Sequence, residues 1–148
     1  MTRGMMNLLK KSEEPRVVTV SSGGMLVQKL DVDDLQFEKL SPFDGTMAYA
    51  QNKRQQVVMT EEWAREHAGV HFSVMHPGWA DTPAVRTSMP GRLTTRADFA
   101  VKASPTCFIS DFYENMKDKL RTVAQGADTV LWLAVAKDPV SKPSGLFW

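Results

Sequence analysis

Two short β-branched runs, separated by one long stretch without proline or glycine, constrain this chain more than any other feature. Arg16 to Ser21 (RVVTVS) and Val70 to Met75 (VHFSVM) have the pattern of strands buried on both faces, as in a parallel sheet. Between them, about Thr46 to His67 has the length and composition of a helix. Ala50, Val57, Met59 and Trp63 make its apolar face, Arg54, Glu61 and Glu62 lie mostly outside that face, and Gly69 serves as C-cap. Strand, helix, strand in this order predicts a right-handed crossover between parallel neighbours.

The flanks are less regular. Arg3 to Ser12 reads as a short amphipathic helix ended by the approach to Pro15. Gly23-Gly24 break the first strand, and Met25 to Gly45 reads as loop with a turn of helix around Asp33-Leu35. From Trp79 to about Asp111 there is no clean period, and Pro83, Pro90, Gly91 and Pro105 punctuate the segment. A second helix is expected from about Phe112 to Ala136, with a break near Gln125-Gly126. Its second half, ADTVLWLAVA, is apolar all round and expected to be buried. Ser144 to Trp148 begins a last strand. The fold class is α/β, in a single domain spanning residues 1–148.

Charge and composition exclude several roles. A formal charge of +1 argues against a nucleic acid or an anionic membrane as partner. No apolar run approaches the ~20 residues that span a bilayer, and Met5 to Leu9 is too short for a signal-peptide core. The one cysteine, Cys107, forbids an internal disulfide and suits the cytoplasm or another reducing compartment; it reads as an incidental loop thiol. His67, His71 and His76 fall on a helix end, a strand and a turn, a spacing that makes no metal site. The nine methionines read as core filler.

Three places can carry chemistry. Tyr49 and Lys53, at i and i+4, share one helix face. A free phenol ionises near pH 10, and a neighbouring ammonium favours the phenolate, which makes such a pair fit for proton transfer. Taken alone, Tyr-x-x-x-Lys is more often a packed ring beside a solvated lysine. Ser21 and Ser22 end a parallel strand, where hydroxyls face the ligand crevice of such sheets, although Ser-Ser-Gly-Gly is also an ordinary turn. Ser22 is the candidate nearer the crevice, and Ser21 ends the ladder. Pro77-Gly78, with Thr82 following, stops the second strand abruptly and exposes backbone groups suited to an amide-like ligand; the bland alternative is a plain strand-to-loop turn.

The ordered combination of Ser-Ser strand, Tyr-x-x-x-Lys helix and Pro-Gly-x-x-x-Thr strand resembles the short-chain dehydrogenase/reductase family, from about Pro15 to Thr82. The resemblance implies an NAD- or NADP-dependent oxidoreductase acting on a small-molecule carbonyl or alcohol, lipophilic if the branch near the retinol dehydrogenases is a guide. It implies Tyr49 as general acid/base, Lys53 as partner of the nicotinamide ribose, Ser22 as orienter of the substrate carbonyl, and Pro77, Gly78 and Thr82 as neighbours of the carboxamide. In its terms the chain is the C-terminal half of a Rossmann-like doubly wound parallel sheet, about three strands with flanking helices. The glycine-rich phosphate loop is missing, so that the chain reads as truncated.

Residues 91–110 read as an insertion, or a splice product, in the loop that covers substrate in this family. A second reading is a catalytically silent fragment or splice form that only associates with other proteins. The Arg16–Ser21 strand would then be an open apolar edge available for self-association. Such a chain is expected to be poorly stable or to self-associate, and a cooperative thermal transition in a monodisperse monomer would contradict this.

Overall fold

A computed structural model describes residues 1–39, 41–88 and 116–148 of the chain. The described residues form two compact units, Met1–Gly78 with Ala127–Trp148, and Trp79–Gly126.

The first unit is built on a parallel sheet in the order β1 (Arg16–Val20), β2 (His71–Met75), β3 (Leu146–Phe147). Arg16 pairs with His71 and Val20 with Met75, while Ser73 and Val74 pair with Leu146 and Phe147. The β1–β2 ladder is bounded by bonds from His71 N–H to the Pro15 carbonyl and from Ser21 N–H to the Met75 carbonyl. With this register, alternation turns the backbone groups of Val17 and Thr19 toward β2. Those of Arg16, Val18 and Val20 turn to the opposite side, where β1 has no strand neighbour among the described residues. The chain enters β3 through Gly145, at φ +94°. A Cβ there would lie 3.1 Å from the Ala64 Cβ, so the position suits glycine on both counts.

Side-chain parity assigns the two faces of the sheet. Thr19 meets Thr60 of the long helix α2 (Gly45–Glu66), their hydroxyl oxygens 2.9 Å apart. Phe72 and Val74 pack on the same face with Val57 and Trp63 of α2, and with Met6 of the N-terminal helix α1 (Thr2–Leu9). Arg16, of opposite parity, turns to the other face. Its guanidinium donates to the Leu133 carbonyl at 3.1 Å and to the Ala136 carbonyl. Both acceptors lie in the last turn of the C-terminal helix, Val123–Val135, and just beyond it. Those carbonyls have no partner within the helix, so the nearly buried arginine caps them while Glu14 takes its other nitrogen at 2.9 Å.

Several expectations are corrected. β1 is half-buried rather than fully buried, with Val20 44% exposed, and among the described residues no strand lies on its outer side. On α2, Met59 points outward at 41% exposure, and the inward positions are Ala50, Gln51, Val57 and Thr60. Two of these are polar, and each is hydrogen-bonded. Thr60 Oγ1 donates to the Gln56 carbonyl at 2.7 Å besides meeting Thr19. The Gln51 amide, in the orientation that satisfies both groups, donates to the Lys29 carbonyl (2.8 Å) and accepts from Asp31 N–H (2.9 Å). Asp33–Leu35 is not helical; the Phe37 N–H bonds the Asp34 carbonyl in a β-turn. Gly23-Gly24 do more than end a strand, since a 3-10 turn spanning Gly23–Val27 opens on them.

In the second unit, the segment read as irregular contains a helix α3 (Pro83–Ser88), started by Thr82, whose Oγ1 accepts from Val85 N–H at 3.2 Å. In the described part of the expected Phe112–Ala136 helix, the interruption falls at 120–122, and the chain is helical through Gln125-Gly126, where a break is predicted. A 3-10 turn at Lys117–Lys119 precedes α4 (Val123–Val135), and the Thr122 and Gln125 side chains bond each other's backbone N–H at its start. Nor is its second half buried all round: Leu133 is buried, while Leu131 and Val135 are 59% and 68% exposed. A single helix face meets the sheet, so an all-round apolar sequence leaves the remainder outward. The 91–110 segment, Cys107 and the beginning of the expected helix at Phe112 lie outside the described residues.

Two outcomes follow from this packing. Thr60→Val keeps the shape but strips the Thr19 hydroxyl and Gln56 carbonyl of a partner, and is expected to cost about 1–2 kcal/mol in denaturant unfolding. His71 sits in register with Arg16, and burial together with the Arg16 charge holds its pKa below that of a free histidine. The unfolded chain therefore takes up this proton first as pH falls. Stability should be complete above about pH 6.5 and decline below it, and His71→Gln should flatten that decline in pH-dependent unfolding.

Candidate active site

Helix α2 is fixed at its start by Asp44, whose Oδ1 accepts from the Thr46 and Met47 N–H groups at 2.8 and 3.1 Å. One turn further on, Tyr49 and Lys53 share a face, and the Lys53 Nζ lies 5.6 Å from the centre of the Tyr49 ring, within cation–π range. Tyr49 is 51% exposed. Lys53 Nζ also donates to the Val20 carbonyl at 3.1 Å and to Gln56 Oε1 at 3.2 Å. Two of its three protons are thus engaged by the protein.

The two serines differ in their contacts. Ser21 is buried; its N–H closes the ladder on Met75 and its hydroxyl donates to the Lys53 carbonyl at 2.9 Å, tying the strand end to α2. Ser22 is extended and caps the following 3-10 turn, its Oγ accepting from Gly24 N–H at 3.2 Å. A Cβ built on Gly24 would stand 3.6 Å from Ser22 Oγ and 4.0 Å from the Ala50 Cβ. Gly24, in the turn that Ser22 caps, therefore approaches Ala50, the neighbour of Tyr49 on α2.

The end of β2 comes to the same place. A Cβ on Gly23 would be 3.0 Å from His76 Nε2, so the turn after β1 and the residue before Pro77-Gly78 are in close approach. Gly78 has φ 72°, a conformation that disfavours any side chain, and redirects the chain beyond the strand. Ser22, Tyr49, Lys53 and the Pro77-Gly78 turn thus gather at the carboxyl ends of parallel strands, where α/β sheets bind ligands. Thr82 belongs to the second unit, where its hydroxyl oxygen starts α3.

Gln56 and the Val20 carbonyl, both on the lysine, are absent from the residues singled out by sequence. The i, i+3 spacing of Lys53 and Gln56 is the available signal for one of them, and nothing local marks the other. A phenol, an ammonium and a serine hydroxyl are hydroxyl- and carbonyl-binding groups.

No family profile matches the chain. It is 53% identical over all 148 residues to dehydrogenase/reductase SDR family member 12 from Homo sapiens, and covers 40% of that protein. It is 30% identical over 134 residues to the oxidoreductase calI of Penicillium decumbens, covering 36% of it. Among solved structures, the aldohexose dehydrogenase of Thermoplasma acidophilum superposes on 99% of this chain and 50% of its own, with a TM-score of 0.62 and 18% identity. An NADPH-bound short chain oxidoreductase from Pseudomonas aeruginosa PAO1 covers 99% and 48%, with a TM-score of 0.61 and 14% identity. The chain is therefore similar in sequence to dehydrogenase/reductase SDR family member 12 and shares the Rossmann-like fold of these solved enzymes, and it spans about two-fifths of the length of the curated relatives it matches.

Proposed function

We propose that the full-length protein is a nicotinamide-dependent oxidoreductase that interconverts a carbonyl and an alcohol on a lipophilic small molecule, using Ser22, Tyr49 and Lys53. The carrying observation is the Lys53 ammonium held 5.6 Å from the Tyr49 ring, with the phenol exposed at the carboxyl end of the sheet. The NADPH-bound neighbour and the oxidoreductase relatives support the same reading.

In reduction, Tyr49 gives its phenolic proton to the substrate oxygen; in oxidation it takes that proton back. The nicotinamide, when bound, supplies or accepts the hydride. Ser22 already accepts from Gly24 N–H, so its own proton points elsewhere and serves as donor to the substrate oxygen. The Lys53 ammonium stands beside the Tyr49 ring, and its remaining N–H serves the nicotinamide ribose hydroxyls. Pro77 and Gly78 supply a turn for the carboxamide. A lipophilic substrate is supported by the segment between β1 and α2, where Leu26, Val27, Val32 and Phe43 are exposed.

A second reading has its own observation. β1 has no strand neighbour on its outer side among the described residues, an edge suited to association with another copy of the chain.

For the enzymatic reading, Tyr49→Phe in the full-length protein is expected to lower turnover by about 10²–10⁴-fold or more while nucleotide affinity stays nearly intact. Steady-state assay with coenzyme titration measures both, and normal turnover in the variant would sink the assignment.

A further inference from the structure

We propose that Gln56 is a positioning residue for Lys53: its side-chain oxygen holds the ammonium in the orientation the reaction uses. This rests on the reading of Lys53 just given, and goes beyond it by assigning a role to a residue outside the Ser-Tyr-Lys set.

The contacts of Lys53 carry the argument. A lysine side chain has many rotamers and three donors, and holding its ammonium in one place costs entropy unless acceptors fix it. Two acceptors do so here, the Val20 carbonyl at 3.1 Å and Gln56 Oε1 at 3.2 Å. They are not equivalent. The Val20 carbonyl lies on the outer side of β1, where any strand added to the sheet would claim it. Gln56 sits on the same helix as Lys53, three residues on, and moves with it. Its backbone is anchored in turn, because the buried Thr60 bonds the Gln56 carbonyl at 2.7 Å and meets Thr19 of β1 at 2.9 Å. Gln56 is therefore the acceptor that persists whether the edge is open or paired. Together with the Val20 carbonyl it leaves Lys53 one proton for a ligand, and it keeps the ammonium beside the Tyr49 ring.

The test is made on the full-length protein with Gln56→Ala, Gln56→Glu and Lys53→Met. Reductive methylation with formaldehyde and cyanoborohydride, read by mass spectrometry at each lysine, reports the position of Lys53 without requiring any activity. Loss of one hydrogen bond to a charged group is worth about tenfold. Gln56→Ala should raise the Lys53 methylation rate by about that factor relative to the other lysines, and Gln56→Glu, which keeps an acceptor at the same length, should restore protection. In the assay, Gln56→Ala should lower kcat about tenfold with KM for the carbonyl substrate nearly unchanged, and should add nothing in a Lys53→Met background. A folded Gln56→Ala protein with unchanged Lys53 methylation overturns the proposal, as does normal kcat in an active protein. Increased methylation in a protein whose wild type turns nothing over keeps the positioning contact and overturns the enzymatic reading instead.

Discussion

A line of hydrogen bonds between strand β1 and helix α2 holds the rest of this structure in place. Ser21 donates to the Lys53 carbonyl, Thr19 meets Thr60, Thr60 returns to the Gln56 carbonyl, and Lys53 reaches back to the Val20 carbonyl. Hydrophobic contact alone, Val57 and Trp63 against Val74 and Phe72, sets the face of the helix but is tolerant of sliding and rotation. Buried polar groups are not tolerant, because each must meet its partner or carry a desolvation penalty of about 1–3 kcal/mol. The seam therefore sets the register of α2 on the sheet. The candidate side chains Tyr49 and Lys53 lie within one turn of it, on the part of the helix that these bonds hold.

The opposite face relies on one charged residue. Arg16 enters the sheet from an edge strand and spends its guanidinium on carbonyls at the end of α4 and on Glu14. A charge so poorly exposed is acceptable because every contact is an acceptor, two of them at the negative end of a helix dipole. The same strand thus faces a helix on either side, through hydroxyls toward α2 and through an arginine toward α4. Its outer edge is partly served by Lys53, which links the candidate chemistry to the state of that edge.

Much of this was legible in the residues. RVVTVS and VHFSVM announce a parallel pair, the uninterrupted stretch from Thr46 to His67 announces the helix, and Tyr49 with Lys53 one turn on announces a shared face. What escaped has physical reasons. Met59 is apolar and so reads as inward, but the inward position belongs to Thr60, whose hydroxyl is satisfied by a strand 41 residues away in sequence. No local pattern records such a partner. ADTVLWLAVA reads as buried by composition, yet only Leu133 is buried among its large apolar side chains, since a helix can press one stripe on a sheet and no more. Helix α3 was hidden by Pro83, read as punctuation, although Thr-Pro is a good opening for a helix when the threonine caps it. Gln56 could be found only once the path of the Lys53 side chain was known.

The account stands on Lys53 being held at the nicotinamide end of a dinucleotide site. Fluorescence titration of the full-length protein with NADH and NADPH, wild type beside Lys53→Met, tests this directly. The account predicts saturable binding of at least one coenzyme, weakened about tenfold or more when the ammonium is lost. Absence of saturable binding, or equal affinity in the two proteins, would contradict it.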